Sequence, residues 1–264
     1  MAGAPLSSAP MNRPTALAAL ALLILAAAAL AEEGAKAPKA APPAKEEKSA
    51  AAPTGIPPIP NTDNTWYAQA LARGAGGHNV THFWSKGPWL RAETVVAGNK
   101  VVNIVKGPWY YAYDGLTKRG LAIRRDPKAE AKDAPTRRPF GREFEILMGQ
   151  GAEEVGQQDT LGRKVGVYRI TDMRGQREVW VTLDDQKLPL RLEIYDRQAQ
   201  ARRYTDYVNW QSALIIPDAF FDVEPDVQIE RLELEQYIKR TLNEGPVGAV
   251  PVLYADLLHA KHEE

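Results

Sequence analysis

The stretch that decides the fold is residues 89–113, WLRAETVVAGNKVVNIVKGPWYYAY. Apolar and polar side chains alternate along it, with Leu90 on one face and Arg91 on the other. A repeat of two residues is the period of a β-strand. Two turn signals, Gly98-Asn99 and Gly107-Pro108, interrupt the alternation at hairpin spacing. The stretch therefore predicts three antiparallel strands joined by tight turns.

The same period continues towards the end of the chain, with turn residues between the runs. In residues 188–195, Leu190, Leu192 and Ile194 form an apolar stripe opposite the polar side chain of Arg191, as in a sheet with one buried and one solvated face. Further strands are predicted at residues 143–148, 164–171, 178–183 and 203–210. The chain is therefore expected to be mainly β, with an antiparallel sheet.

Few helices are expected. Residues 65–73 predict a short helix that ends at the glycine-rich segment 74–77. Residues 230–242 carry apolar side chains near helical spacing, and residues 252–261 predict a last helix. Residues 126–139 are charged, contain prolines and lack a period, so we expect an exposed loop there.

The first residues have the pattern of an export signal. Arg13 precedes an apolar run, residues 16–31, that ends in Ala-Leu-Ala. Residues 1–31 are predicted to be a cleaved signal peptide, with an uncleaved N-terminal membrane anchor as the alternative. Residues 32–60 consist mainly of Ala, Pro, Lys and Glu, which predicts a disordered linker. The folded domain is expected to span residues 61–264 and to lie in a compartment outside the cytoplasm.

The composition excludes several classes of protein. The chain has 33 basic and 33 acidic side chains and no cysteine. Without cysteine there are no disulfides, thiolate metal sites or cysteine nucleophiles. Balanced and scattered charge argues against a nucleic acid as a partner.

No catalytic motif stands out. Ser85 and Ser212 lack a G-x-S-x-G context, and no phosphate-binding glycine loop of known spacing occurs. His78 and His82 lack the neighbouring glutamate of metalloproteases and are interpreted as solvated surface residues. We therefore expect no enzyme, no metal and no cofactor, although a hydrolase that uses two carboxylates leaves no linear signature.

The aromatic residues are concentrated on the predicted strands and have two interpretations. Trp89, Trp109, Tyr111 and Tyr113 could fill a β-core or line a cavity, because core and cavity walls have the same composition. A sheet that curls without closing leaves an apolar face that helices or a ligand must cover. Both interpretations stay open on this ground.

Four segments carry a family resemblance: GPWLRAE at 87–93, WYYAYD at 109–114, LPLRL at 188–192 and IPDAFF at 216–221. Together they resemble the LolA-like superfamily, the periplasmic lipoprotein carriers and their relatives, over residues 66–225. The resemblance implies an open antiparallel half-barrel (LolA-like) covered by a few short helices. In that family the hydrophobic concave face accepts acyl chains.

The resemblance also implies a function. It implies a periplasmic, non-enzymatic protein that binds lipid or lipoprotein acyl chains, for outer-membrane lipoprotein sorting or envelope maintenance. The alternative is an envelope protein-interaction or stress-sensor module with an envelope protein as its partner, as in the sigma-factor regulator of the superfamily. Arg91 would match the family arginine that hydrogen-bonds the lid. The residues expected to bind the ligand are Trp89, Arg91, Trp109, Tyr111, Tyr113, Leu190, Leu192 and Ile194. The linker and the extension past Val227 set this chain apart from the carriers.

Overall fold

The computed structural model describes residues 62–74, 77–160, 162–248 and 250–259, so the predicted signal peptide and linker lie outside the described residues. These residues form one open sheet of 12 strands with a few short helices, which confirms the predicted fold class. The strands are β1 (Thr65–Gly74), β2 (Gly77–Lys86), β3 (Trp89–Val96), β4 (Asn99–Lys106), β5 (Trp109–Asp114), β6 (Arg119–Arg124), β7 (Glu153–Thr160), β8 (Arg163–Asp172), β9 (Gly175–Thr182), β10 (Pro189–Asp196), β11 (Ala201–Ser212) and β12 (Gln228–Leu232). The helices are α1 (Pro127–Asp133), α2 (Glu143–Gly149), α3 (Leu234–Glu244) and α4 (Ala255–Leu258), with a 3-10 turn at Asp218–Phe221.

The sheet consists of two halves that meet where β1 pairs with β11. In the N-terminal half, β1 to β6 follow one another as antiparallel hairpins, and β12 pairs with β6 as a parallel edge strand. In the C-terminal half, β7 to β11 are likewise neighbours in chain order, with β7 at the other edge. The two edge strands are not paired with each other, so the sheet does not close into a barrel.

Two predicted elements have the wrong type. Residues 65–73 form β1 rather than a helix, because Ala68 and Ala70 are buried at the period of a strand and pairing with β2 and β11 outweighs helix propensity. Residues 143–148 form α2 rather than a strand. Phe144 and Leu147, three residues apart, pack together on the sheet, and this is the spacing of a helix face.

Three further predictions need correction. Residues 230–242 begin as β12 and become helical only at Leu234. The last helix is shorter than predicted, since only Ala255–Leu258 is helical among the described residues. The expected loop at 126–139 contains α1, whose N-terminus is capped by the Asp126 carboxylate accepting from the backbone N–H of Lys128 at 2.8 Å.

One face of the N-terminal half is buried beneath the end of the chain, and we call it the tail face. Its apolar side chains include Ala68, Phe83, Leu90, Ala92, Val105, Tyr110, Leu121 and Ile123. The described residues of 245–259, a segment that we call the tail, pack over this face with Val247, Val250, Leu257 and Leu258 buried. The tail therefore completes the hydrophobic core of this half.

The opposite face of the N-terminal half, the strap face, is covered by a different segment. Residues 213–227, the strap, connect β11 to β12 and bury Phe221 completely. Phe221 packs with the buried Val102, Ile104 and Tyr113. Both faces of this half are therefore closed by irregular segments of the chain.

The two faces of the C-terminal half differ in character: one is apolar, and the other, the polar face, combines ion pairs with a buried apolar cluster of Val165, Val167, Trp180 and Leu190. The helix α2 covers the apolar face, where Leu147 packs with Tyr168, Val179 and Val181. The polar face carries ion pairs between neighbouring strands, such as Arg191 with Asp206, Arg202 with Glu193 and Arg169 with Glu178. None of the helices in the described ranges is long and apolar enough to cross a lipid bilayer.

Candidate functional site

A row of six side chains, three of them alanine, crosses the tail face beneath the tail. Direct cross-strand pairing aligns Ala68, Phe83, Ala92, Asn103, Ala112 and Leu121 on six successive strands. The three alanines on this row have no exposed surface. Because alanine ends at Cβ, these three positions leave shallow apolar depressions on the tail face, and we call this part of the face, against which the tail packs, the groove.

Hydrogen bonds hold the middle of the tail in this groove. The Tyr254 backbone N–H donates to the Tyr110 hydroxyl at 3.1 Å, and that hydroxyl donates to Asn103 Oδ1 at 2.7 Å. The Tyr254 and Thr94 hydroxyls are 3.2 Å apart. Burial raises the pKa of Tyr110, so its hydroxyl stays protonated and keeps its donor role.

The end of the tail is held by the two residues that precede α1. The Asp126 backbone N–H donates to the Leu258 carbonyl at 3.0 Å, and Arg125 Nε donates to the Leu257 carbonyl. Arg125 also forms a buried ion pair with Asp133. Burial raises the pKa of the Asp133 carboxyl, while the Arg125 charge opposes that change. The charged segment 126–139 is therefore not simply an exposed loop, because it contains a buried carboxylate, Asp133, that pairs with the arginine holding the tail.

A cluster of aromatic rings surrounds a second buried cation at the edge of the tail face. The Arg138 guanidinium carbon lies 5.2 Å from the ring centre of Trp66 and 4.8 Å from that of Trp210. Arg138 also donates to the Phe140 and Gly141 carbonyls, each at 2.8 Å. These contacts offset the cost of burying the guanidinium group, although burial still lowers its pKa.

A β-bulge at Asn209 brings two members of this cluster together. The register of β1 with β11 shifts there, and Asn209 has φ of 56°. As a result Tyr207 and Trp210 stack at 5.5 Å although they are three residues apart. The Tyr207 hydroxyl donates to Glu143 Oε1 at 2.5 Å, and burial raises the pKa of that carboxyl.

Several buried polar atoms have no hydrogen-bond partner in the described part of the chain. Three belong to the tail face: Trp66 Nε1, Ser85 Oγ and Asn103 Nδ2. The fourth is Glu143 Oε2, beside the aromatic cluster. Ser85 and Asn103 have no exposed surface at all. Such atoms are uncommon in folded proteins, and each calls for a physical explanation.

The hollows at the surface are small or open. One of about 240 Å³ lies beside the bulge and is lined by Arg163, Leu190, Tyr207, Val208, Asn209 and Trp210. Another of about 470 Å³ lies along β6 and β12 at the sheet edge. A site for a drug-sized ligand usually measures about 300–1,000 Å³ and is concave and mostly apolar. The apolar tail face is instead occupied by the tail.

On the strap face, Arg91 connects the sheet to the strap. It donates to Glu93 Oε1 at 2.8 and 3.0 Å, to Glu224 Oε1 at 3.1 Å and to the Phe220 carbonyl at 3.2 Å. A hydrogen bond from Lys118, followed by one from Arg91, lowers the pKa of the Glu224 carboxyl. Burial raises the pKa of Tyr113, which donates to Glu224, to about 12. Arg91 thus contacts a covering segment, and its role as a lid arginine stays a prediction.

The structure does not bring the predicted site residues together. Five of them lie on the strap face: Trp89, Arg91, Trp109, Tyr111 and Tyr113. The other three, Leu190, Leu192 and Ile194, lie on β10. Three strands, β2, β1 and β11, lie between β3 and β10 in the sheet. Leu190 is buried with Trp180, and Leu192 packs under α2. Their role in ligand binding stays a prediction.

Sequence reasoning missed the polar residues of the tail face. Ser85 lies on β2, a strand that was not predicted, and Asn103 is the polar member of an otherwise apolar run. Tyr110 lies between Trp109 and Tyr111 on the same strand, so the alternation of side chains puts it on the opposite face. This could have identified Tyr110 as a residue of the tail face. Nothing in the local sequence indicates that Arg138 is buried between two indoles.

No protein-family model and no curated protein matches the chain. Among solved structures, the chain is similar to an uncharacterized conserved protein from Thermus thermophilus, with TM-score 0.48 and 12% identity over 65% of this chain and 93% of that one. It is also similar to Pseudomonas aeruginosa MucB in its complex with MucA, with TM-score 0.42 and 15% identity over 64% of this chain and 58% of that one. A third similar structure is the lipoprotein LppX of Mycobacterium tuberculosis, with TM-score 0.32 and 10% identity over 55% of this chain and 85% of that one.

Proposed function

We propose that the protein is a periplasmic, non-enzymatic binder of lipid or lipoprotein acyl chains, serving outer-membrane lipoprotein sorting or envelope maintenance. The tail face is the proposed binding surface. One observation carries the proposal: a buried apolar face spanning six strands is covered by one short segment that contains a single helical turn, with Phe140 and the α3 residues Leu234 and Tyr237 beside it. A ligand could take the place of this segment in the groove without any rearrangement of the sheet.

The energetics of such an exchange are favourable for reversible binding. Burial of apolar surface stabilises by about 25 cal/mol per Å², and each buried methylene of an acyl chain contributes about 0.8 kcal/mol. A chain in the groove would replace the contacts of Val250, Leu257 and neighbouring tail residues with contacts of the same kind. Since the two states bury similar apolar surface, the net free energy of exchange stays small.

Tryptophan fluorescence can test the proposal and locate the site. Trp66 and Trp210 pack against the tail face, whereas Trp84 and Trp89 pack against the strap face. We expect myristoyl lysophosphatidylcholine, added as monomers, to change the fluorescence and to give a one-to-one adduct in native mass spectra. Trp66→Phe should reduce the fluorescence change, and Trp84→Phe, the matched control, should preserve it.

The result that would overturn the proposal is a protein with neither adduct nor fluorescence change. A fluorescence change that is lost in Trp84→Phe and kept in Trp66→Phe would move the site to the strap face. The lipid should also be recovered unchanged after incubation, because the proposed function involves no bond cleavage.

A protein-interaction or stress-sensor module is the second candidate. It is favoured by the fact that the groove already holds a peptide, whose backbone N–H at Tyr254 bonds to a sheet side chain. An extended segment of an envelope protein could replace the tail in the same way. Crosslinking from the groove in periplasmic extracts, followed by identification of a single protein that competes with a synthetic tail peptide, would support this function over lipid binding.

A further inference from the structure

We propose that the groove beneath the tail selects acyl chains that carry an ester or amide carbonyl, and that the tail and this ligand compete for the same groove. This inference rests on the proposed function and adds the chemistry of the ligand and its competitor. Ser85, with Trp66 directly opposite it in the pairing of β1 with β2, is assigned to the carbonyl oxygen.

The unpartnered atoms on the tail face share one chemical property. Trp66 Nε1 and Asn103 Nδ2 can only donate hydrogen bonds, and the Ser85 hydroxyl can donate as well. Trp66 and Ser85 are directly opposite each other in the pairing of β1 with β2. Asn103 lies two strands beyond Ser85, on the row that contains the three alanines. The face therefore combines apolar surface with donors and lacks matching acceptors for them.

The tail satisfies the apolar part of this surface but not the donors. Tyr254 uses its backbone N–H and its hydroxyl at the groove, and the Leu257 and Leu258 carbonyls are bonded to Arg125 and Asp126. A buried donor without an acceptor costs about 1–3 kcal/mol. A ligand with apolar chains and carbonyl acceptors would remove that cost, whereas a bare hydrocarbon would not.

Competition follows from the position of the tail. Its buried side chains Val247, Val250, Leu257 and Leu258 pack in the same cluster as the groove residues. An acyl chain cannot occupy the groove while they are in place. The tail begins directly after α3, and its other end is held by the hydrogen bond from Asp126 to Leu258. A covalent bond at Leu258 would therefore keep the tail in the groove.

Two lysophospholipids that differ only in the carbonyl test the selection. Myristoyl lysophosphatidylcholine has an ester, and its tetradecyl ether analogue has the same headgroup and carbon number without the carbonyl oxygen. For the full chain we expect the ester to bind roughly three- to tenfold more tightly, the effect of about one hydrogen bond. Ser85→Ala should reduce this ratio towards one without lowering the thermal midpoint, because Ser85 Oγ has no partner to lose. Ser212→Ala makes the same change at an exposed position of β11 and should leave the ratio unaltered.

A disulfide tests the competition. The chain has no cysteine, so the double variant Asp126→Cys with Leu258→Cys would contain a single possible disulfide between neighbouring backbones. We expect the oxidised form to lose binding of both lipids at least tenfold and the reduced form to recover it. The reduced form carries the same substitutions and is the matched control.

The outcomes separate the two proposals. If neither lipid binds the full chain, the proposed function fails, and this inference fails with it. If both lipids bind equally, acyl binding stands but selection by the donors is overturned, and buried water becomes the explanation for the unpartnered atoms. If the oxidised double variant binds as well as the reduced one, competition with the tail is overturned. The Ser85→Ala comparison remains decisive for selection even where the double variant does not fold.

Discussion

The two halves of the sheet keep their apolar surface away from water in different ways. In the N-terminal half both faces carry buried apolar clusters, and the tail and the strap cover them. In the C-terminal half one face lies under α2, and the other combines a small buried cluster around Val167 and Trp180 with ion pairs between strands, such as Arg191 with Asp206. A polar face can stay in water, whereas an apolar face must be covered by chain or ligand. Ligand exchange is therefore expected in the N-terminal half, where irregular segments rather than the sheet itself exclude water.

Removal of the tail should have the largest effect on this contrast. A chain that ends at Glu244 would lose four buried apolar side chains, Val247, Val250, Leu257 and Leu258. At about 1.5–3 kcal/mol each, the loss is comparable to the whole stability of a typical domain, so we expect the truncated protein not to fold on its own. Circular dichroism and urea unfolding measure this. Leu242→Ala, at a position that is 80% exposed just before the tail, is the control and should unfold like the wild type.

A truncated chain with the wild-type unfolding midpoint would contradict this prediction. It would mean that the tail is not part of the core. The intermediate outcome, a chain that folds only when an acyl lipid is added, would support the exchange of tail and ligand directly.

A smaller effect is expected from a single residue of the strap. Phe221 is completely buried between the strap and the sheet, so Phe221→Ala should lower the free energy of unfolding by about 3–5 kcal/mol. In the C-terminal half, Ile146 lies on α2 and is 46% exposed. Ile146→Ala should cost below about 1 kcal/mol. Urea denaturation of both variants compares how strongly the strap and α2 are packed on the sheet. Similar losses of unfolding free energy in the two variants would contradict the prediction that the strap is packed more tightly.

The smallest effect concerns pH. Lys118 and Arg91 lower the pKa of the Glu224 carboxyl relative to its value of about 4.3 in the unfolded chain. Glu224 therefore contributes stability above the unfolded pKa, and this contribution is lost as pH falls through the folded pKa. Since the Glu224 side chain is 31% exposed, solvent screening limits the contribution to about 1 kcal/mol or less.

We expect Glu224→Gln to be less stable than the wild type at pH 7 and to approach it below about pH 4. Urea midpoints across this pH range check the prediction. Arg169→Gln, in an ion pair of the polar face with its side chain 43% exposed, is the comparison and should change stability by about 0.5 kcal/mol or less. A Glu224→Gln difference that grows at low pH would contradict the assignment of the strap contacts.

Much of the sheet follows from local pattern, and its exceptions follow from distant contacts. The hairpins from β3 to β5 were predictable because Gly98-Asn99 and Gly107-Pro108 interrupt a regular alternation. The strand β1 was not, since its alanines and leucine favour a helix until β2 and β11 pair with both of its edges. The anchor at Asp133 was missed because a buried ion pair has the same local sequence as an exposed one.

The candidate site was less predictable than the fold. Alternation correctly separates Arg91 from Leu90, yet it does not say which face a later segment covers. The tail and the strap reach their faces from residues more than a hundred positions away, as in the contacts of Tyr110 with Tyr254 and Arg91 with Phe220. No local signal encodes such pairings, because both partners are ordinary strand and loop residues.

By itself the sequence determined that the protein is mainly β, that its sheet is antiparallel through hairpins, and that thiol chemistry is absent. Period-two alternation and turn residues act between near neighbours, so they can be read from the chain directly. Only the tertiary structure decided which faces are closed, where Ser85 and Asn103 lie unpartnered, and how Arg138 and Asp133 are buried. Burial and hydrogen-bond satisfaction depend on packing between distant segments, and these quantities exist only once the whole chain has folded.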